Sequence, residues 1–226
     1  MAEKAHLKKE NEMSKRLRVL GVVLALTGLA FMAAGGVAFA KVQSGFNSLN
    51  AFSESQGVTL SYNEDGQLTE RGTVEGTEPI MEILTEDWGF PVVEEDLDPN
   101  DPIINTATEY MYQMATIVYH VTHGTQKVTI TERVEYNGEV FEPGTYDVPI
   151  EGRYWTDFDR KHPLYGPARG MAWTGTAHGL IGELGVGAAT HSSLQLGLGL
   201  AGAFGGFGAV FVLMGAGLFW ASRKEN

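Results

Sequence analysis

Two stretches of the chain carry no polar rhythm, and the residues between them carry both helical and strand rhythms. Val19 to Ala40 is 22 residues without a charge, and Leu184 to Ser222 has none apart from the titratable His191. At about 1.5 Å per residue, the first run covers the roughly 30 Å of a bilayer's hydrocarbon core. Leu194 to Ala221 is longer and spans with tilt to spare. Backbone groups in lipid must satisfy each other, so both runs are predicted helical despite their glycines.

The intervening pattern predicts an α+β domain. Residues 41–57 extend the first helix outward and stop at Gly57. Val58–Tyr62 and Leu68–Val74 read as short strands joined through Asn63-Glu-Asp-Gly66. Thr77 is placed to cap a helix running to Trp88, with Pro79 tolerated in its first turn. Thr106-Ala-Thr-Glu109 is a capping box, and Met111, Met114, Ala115 and Val118 follow at helical spacing. Val128, Ile130, Val134 and Tyr136 alternate with polar residues. Asn137-Gly138 is a strong hairpin signal, and Pro143-Gly144 marks a second turn before Tyr146–Ile150. These segments predict a small antiparallel meander of three strands. Pro163 and Pro167 interrupt the aromatic, charged stretch after Tyr154. Residues 170–190 read as a small-residue helix leading into the second span.

Charge sharpens this division. Residues 41–193 hold 8 Lys and Arg against 24 Asp and Glu, whereas residues 1–18 hold 6 against 3. Lys4, Lys8, Lys9, Lys15, Arg16 and Arg18 precede the first span, and Arg223 and Lys224 follow the second. The positive-inside rule then puts both tails in the cytoplasm and the acidic domain on the far side. The expected organisation is a tail (1–18), a span (19–40), an extracytoplasmic domain (41–193), a second span (194–221) and a tail (222–226). Ala38-Phe39-Ala40 also fits a secretory cleavage site, which would leave one C-terminal anchor. The length of the apolar run favours a retained helix.

An acidic middle repels phosphate backbones, so nucleic acid is not an expected partner. With no cysteine, the chain has neither disulfides nor thiolate chemistry. Asp96, Asp98, Asn100 and Asp101 copy the start of a calcium loop. However, the sixth position is Asp101 and the twelfth Ala107, where an EF-hand needs Gly and Glu. A looser cation site competes there with a solvated acidic loop whose Asp and Asn serve turns. His120 and His123, three apart at a helix end, are too few for a metal site and are suited to the helix dipole. His178 and Glu183, with Trp173 and His191 nearby, approach the second membrane boundary. Ionisable groups there are functional candidates for proton or quinone contact, or residents of an interface that suits Trp and His. Gly197-Leu-Gly-Leu-Ala-Gly202 matches a dinucleotide fingerprint in letters alone, since no strand precedes it. No hydrolase, zinc-protease, nucleotide-loop or kinase motif occurs, and no cofactor is expected.

Small residues recur inside the spans: Gly197, Ala201 and Gly205; Gly202 and Gly206; Ala30, Ala34 and Ala38. Such faces let helices approach closely in lipid. They serve either packing between the two spans or docking onto another membrane subunit. Val19-Leu-Gly-Val-Val-Leu-Ala-Leu-Thr-Gly-Leu-Ala30 and Leu196-Gly-Leu-Gly-Leu-Ala-Gly202 resemble a group of uncharacterised actinobacterial two-span membrane proteins. Some members of that group carry an aromatic-ring-opening dioxygenase label. That chemistry needs iron on His and carboxylate ligands, a pattern this sequence lacks, so the label is not transferred. The expectation is a non-catalytic accessory subunit of a membrane complex, respiratory or transport in kind. The alternative is an extracytoplasmic module that binds a cation or basic partner through its acidic loop.

Overall fold

The computed structural model describes residues 2–154 and 156–223, with side chains from residue 11 onward. Trp155, Lys224 and the side chains of Lys4, Lys8 and Lys9 lie outside the described residues. The chain divides into two compact units, Met1–Ser48 with Ser192–Asn226, and Leu49–His191. Two described helices are long and apolar enough to cross a bilayer, Asn11–Gln56 and Gly175–Ala221. A small sheet domain lies between them in the sequence.

Helix α1 (Ala2–Gln56) stops where Gly57 turns to φ +64°, a left-handed conformation glycine adopts without steric cost. Strands β1 (Ser61–Tyr62) and β2 (Leu68–Thr69) pair antiparallel, and Gly66 supplies φ +75° in their connection. Thr77 does not cap helix α2 (Glu78–Glu82). A 3-10 turn over Glu75–Thr77 already leads into the helix, and the Thr77 hydroxyl donates backwards to the Val74 carbonyl at 2.7 Å. A π turn over Ile83–Asp87 ends that segment. Helix α3 (Ala107–Thr122) begins with the full capping box: the Glu109 amide donates to Thr106 Oγ1, and the Thr106 amide donates to Glu109 Oε2. Its inner face buries Tyr112, Ala115 and Val118, and α2 and the π turn after it pack against it, with Ile80 of the first and Leu84 of the second buried.

The expected three-strand meander is corrected. Strand β3 (Thr125–Ile130) pairs with β6 (Gly144–Pro149), and β4 (Val134–Tyr136) pairs with β5 (Glu139–Phe141), all antiparallel. This is one long hairpin with an interruption, not a sequence of three neighbours. Asn137 (φ +51°) and Gly138 (φ +86°) make the only reversal, at its tip. Pro143 lacks an amide to donate, so it breaks the ladder opposite residues 131–133 without turning the chain back. Alternation then buries Val128 and Val148, together with Ile150, against Ala168 and Ala172 of helix α4 (Tyr165–Ala172). Pro167 falls in the first turn of α4, where its missing N–H costs nothing. Helix α5 (Gly175–Ala221) closes the described chain.

Candidate functional site

Within the first unit, α1 and α5 meet along a seam of very small residues. Gly21, Gly28 and Gly35 are buried, seven residues apart; Gly215, Gly208 and buried Ala201 match them at the same interval in the opposite direction. A Cβ on Gly28 would lie 2.6 Å from the Gly208 carbonyl oxygen, one on Gly21 2.7 Å from that of Gly215, and one on Gly35 2.9 Å from that of Ala201. Backbone therefore touches backbone at every step, which only glycine or alanine permits. One heptad further, the Ser14 hydroxyl donates to the Ser222 carbonyl at 2.7 Å. Phe31 lies over Phe204 and Phe211, with centroids 5.6 and 5.9 Å apart. Arg18 and Arg223 both approach the Phe219 ring, at 5.9 and 4.8 Å.

The small residues singled out in the sequence separate on this geometry. Ala201 belongs to the seam, and a Cβ on Gly197 would meet Val42 of the same hairpin at 2.8 Å. Gly205 is half-buried, its backbone nitrogen close to Gly35. Gly202 and Gly206 face outward with open space where a Cβ would sit, as does Gly199. Ala30 and Ala34 are exposed. The repeat that joins the helices is thus seven residues long. A search for four-residue spacing misses it, although Ser14, Gly21, Gly28 and Gly35 stand plainly in the sequence.

In the second unit, the amino end of α3 gathers several polar groups. Glu109 is 1% exposed and accepts from the amides of Asn105 and Thr106, both at 2.9 Å. Burial nevertheless holds its carboxyl above the usual glutamate range. Tyr62, whose buried hydroxyl has no partner among the described residues, is pushed up to about 12 by burial, with Glu109 adding to the effect. The Ala107 amide donates to Nδ1 of buried His191 at 3.1 Å, which fixes that nitrogen as an acceptor. Burial depresses the His191 pKa, against a weaker pull from Asp96. Stability should therefore fall as pH drops through the ordinary histidine value of about 6.5, because the unfolded chain takes the proton first. Melting temperatures between pH 7 and 5 should show this slope, and His191→Gln should flatten it.

The acidic loop is organised by its own residues. Asp98 Oδ1 accepts from the Asn100 backbone amide and side chain, both at 2.8 Å, and these bonds lower its pKa. Asn105 Nδ2 donates to Asp101 at 3.3 Å. Among the described residues, no set of three or more His, Asp or Glu is grouped to hold a metal ion. His120 and His123 point to different partners. Arg71 can only donate, so its 3.2 Å bond makes His120 Nδ1 the acceptor, and Nε2–H donates to Glu70 at 2.9 Å. His123 stacks on Tyr119 at 4.5 Å. The Glu70–His120 pair borders a polar cavity of about 300 Å³ that also contains Tyr112 and Thr116. His178 lies against Trp173, with centroids 5.3 Å apart. Glu183 lines a different, apolar cavity.

Sequence inspection also passes over Arg169. It is 2% exposed, lies 5.3 Å from the Phe158 ring and 5.7 Å from that of Trp173, and among the described residues none offers a hydrogen bond to any of its three side-chain nitrogens. The Trp173 indole N–H is likewise buried with no partner among the described residues. Cation–π contact offsets only part of the desolvation of a guanidinium. Arg169→Met should therefore raise stability by about 1–3 kcal/mol, measurable as a higher melting temperature. No family model, curated protein or solved structure matches this chain.

Proposed function

We propose that this chain is a two-span membrane protein that acts as a non-catalytic accessory subunit, docking onto a larger complex through the outer face of its second span. One observation carries the reading. The hairpin completes its own packing through the heptad seam and leaves Gly199, Gly202 and Gly206 open on the outside of α5. If the spans needed small residues only for each other, this second set would have no use. Glycines cost helix stability, and in lipid they are retained where another backbone approaches.

The same seam supports retention of the first helix, since cleavage after Ala40 would strip Gly208 and Gly215 of the backbone they fit. Antiparallel packing also brings Arg18 and Arg223 to one aromatic ring, which accords with both basic tails lying in the cytoplasm. The acidic domain then faces outward. Affinity purification of the full chain in mild detergent, followed by mass spectrometry, tests the proposal. Stoichiometric recovery with membrane-protein partners is expected. Recovery of the chain alone would refute it.

A further inference from the structure

The basic end of the first unit gathers two guanidinium groups around one aromatic ring. Gly21 makes this possible. A Cβ there would lie 3.0 Å from the Phe219 amide nitrogen and 3.3 Å from Leu218 Cβ, so the missing side chain lets α5 lie against α1 at this level. Arg18 stands three residues before Gly21, a neighbour on the surface of α1. Arg223 stands four residues after Phe219, in a closing turn where its amide donates to the Trp220 carbonyl at 3.1 Å. The guanidinium carbons of Arg18 and Arg223 therefore reach the same ring from two helices, at 5.9 and 4.8 Å from the Phe219 centroid.

Each guanidinium carries five N–H donors and keeps its charge at any physiological pH. Both residues are exposed, and among the described residues no carboxylate pairs with either. Contact with the ring face attracts each cation but does nothing for the repulsion between them. An anion set between the two would remove it. The surface beside the pair is hydrocarbon. Val19, Leu20, Val22 and Val23 are exposed on the adjoining turns of α1, and Trp220 is exposed on α5. Arg18 directly precedes the uncharged run of the first span and Arg223 follows that of the second. The pair thus stands at the boundary where headgroups lie and tryptophan is at ease.

We infer that Arg18 and Arg223 form a binding site for an anionic phospholipid, its phosphate held between the two guanidinium groups and its acyl chains lying along the exposed apolar surface of the spans. The planar guanidinium fork matches the oxygens of a phosphate in pairs, which an ammonium does not. A headgroup of net negative charge leaves that charge to the arginines, whereas phosphatidylcholine balances its phosphate with its own ammonium. Juxtamembrane cations attract anionic lipid in general; here two of them are fixed on one ring by helix packing, which makes a defined site. A free phosphate meets the charge but gains nothing from the adjoining hydrocarbon. The inference rests on the two-span reading, because that reading supplies the bilayer.

The test holds the full chain in mild detergent with equal amounts of phosphatidylglycerol and phosphatidylcholine, and native mass spectrometry counts the lipids that stay bound. Phosphatidylglycerol should be retained over phosphatidylcholine by about tenfold, and Arg18→Gln with Arg223→Gln should cut that preference to about twofold or less. Lys15→Gln with Arg16→Gln removes two charges from the same end of the chain but leaves the ring pair intact, and should keep the preference. Equal loss in both double variants would mean diffuse attraction without a site and would overturn the inference. So would an unchanged preference in the Arg18/Arg223 variant, or equal retention of the two lipids by the wild type. Inorganic phosphate in large excess should leave the bound phosphatidylglycerol in place; its displacement would assign the site to a free anion and overturn the lipid. Any of these lipid results leaves the two-span reading standing. Release of the chain from native membranes by alkaline carbonate, without detergent, would bring down both.

Discussion

Gly28→Leu is expected to separate the two long helices. The substituted side chain begins 2.6 Å from the Gly208 carbonyl, 2.7 Å from the Val212 amide and 2.8 Å from Val212 Cγ2, and two of these three atoms are backbone. No rotamer relieves a clash at Cβ, so α5 must move bodily and the neighbouring glycine contacts go with it. The loss should reach about 3 kcal/mol or more, the upper range for overpacking a filled interior. Because the chain has no cysteine, Ser14→Cys with Ser222→Cys gives a clean readout. A short crosslinker should join this pair in the parent hairpin and fail when Gly28→Leu is added. Gly36→Leu is the control. Gly36 is exposed, with nothing within 4 Å of its Cβ position, and crosslinking should survive that change. Equal crosslinking in all three proteins would mean that the glycine seam does not hold the helices together.

Gly206→Leu is expected to have the opposite profile. A side chain there enters open space, so the Ser14/Ser222 crosslink should be unaffected. Partners that dock on the outer face should be lost, because a leucine holds a second helix well outside the distance a glycine allows. Recovery of partner proteins in mild detergent should fall about tenfold or more, the result of losing roughly 1.4 kcal/mol or more of contact. Gly202→Leu should behave alike. Unchanged partner recovery in both variants would show that the outer face is not the docking surface.

How much of this was legible in the sequence depended on how local each signal is. The capping box at Thr106 and Glu109 is a contact between residues three apart, and it forms as read. The Asn137-Gly138 reversal is equally local and also forms. Pairing of β3 with β6 is not local. It depends on the returning strand continuing past Pro143, where a proline–glycine pair suggested another turn. Thr77 had the right residue type for a cap, but the chain was already turning ahead of it.

The seam was readable in principle. A seven-residue recurrence of Gly and Ser across α1, matched in reverse across α5, is a sequence property, and four-residue spacing drew attention away from it. The Glu70–His120 pair and the burial of Arg169 lay beyond reach. Glu70 and His120 meet through folding across fifty residues, and nothing near Arg169 in the chain distinguishes it from a solvated arginine. The apolar cavity that Glu183 lines likewise comes from three separate segments of the chain.

Labelling of single cysteines in intact cells tests the two-span arrangement most directly. Asn137→Cys, at the exposed hairpin tip, and Glu12→Cys, exposed ahead of the first span, are each treated with a membrane-impermeant maleimide. A hairpin with both tails in the cytoplasm predicts that Asn137→Cys labels in intact cells and that Glu12→Cys labels only after permeabilisation. Labelling of both positions in intact cells, or of neither until lysis, would contradict it.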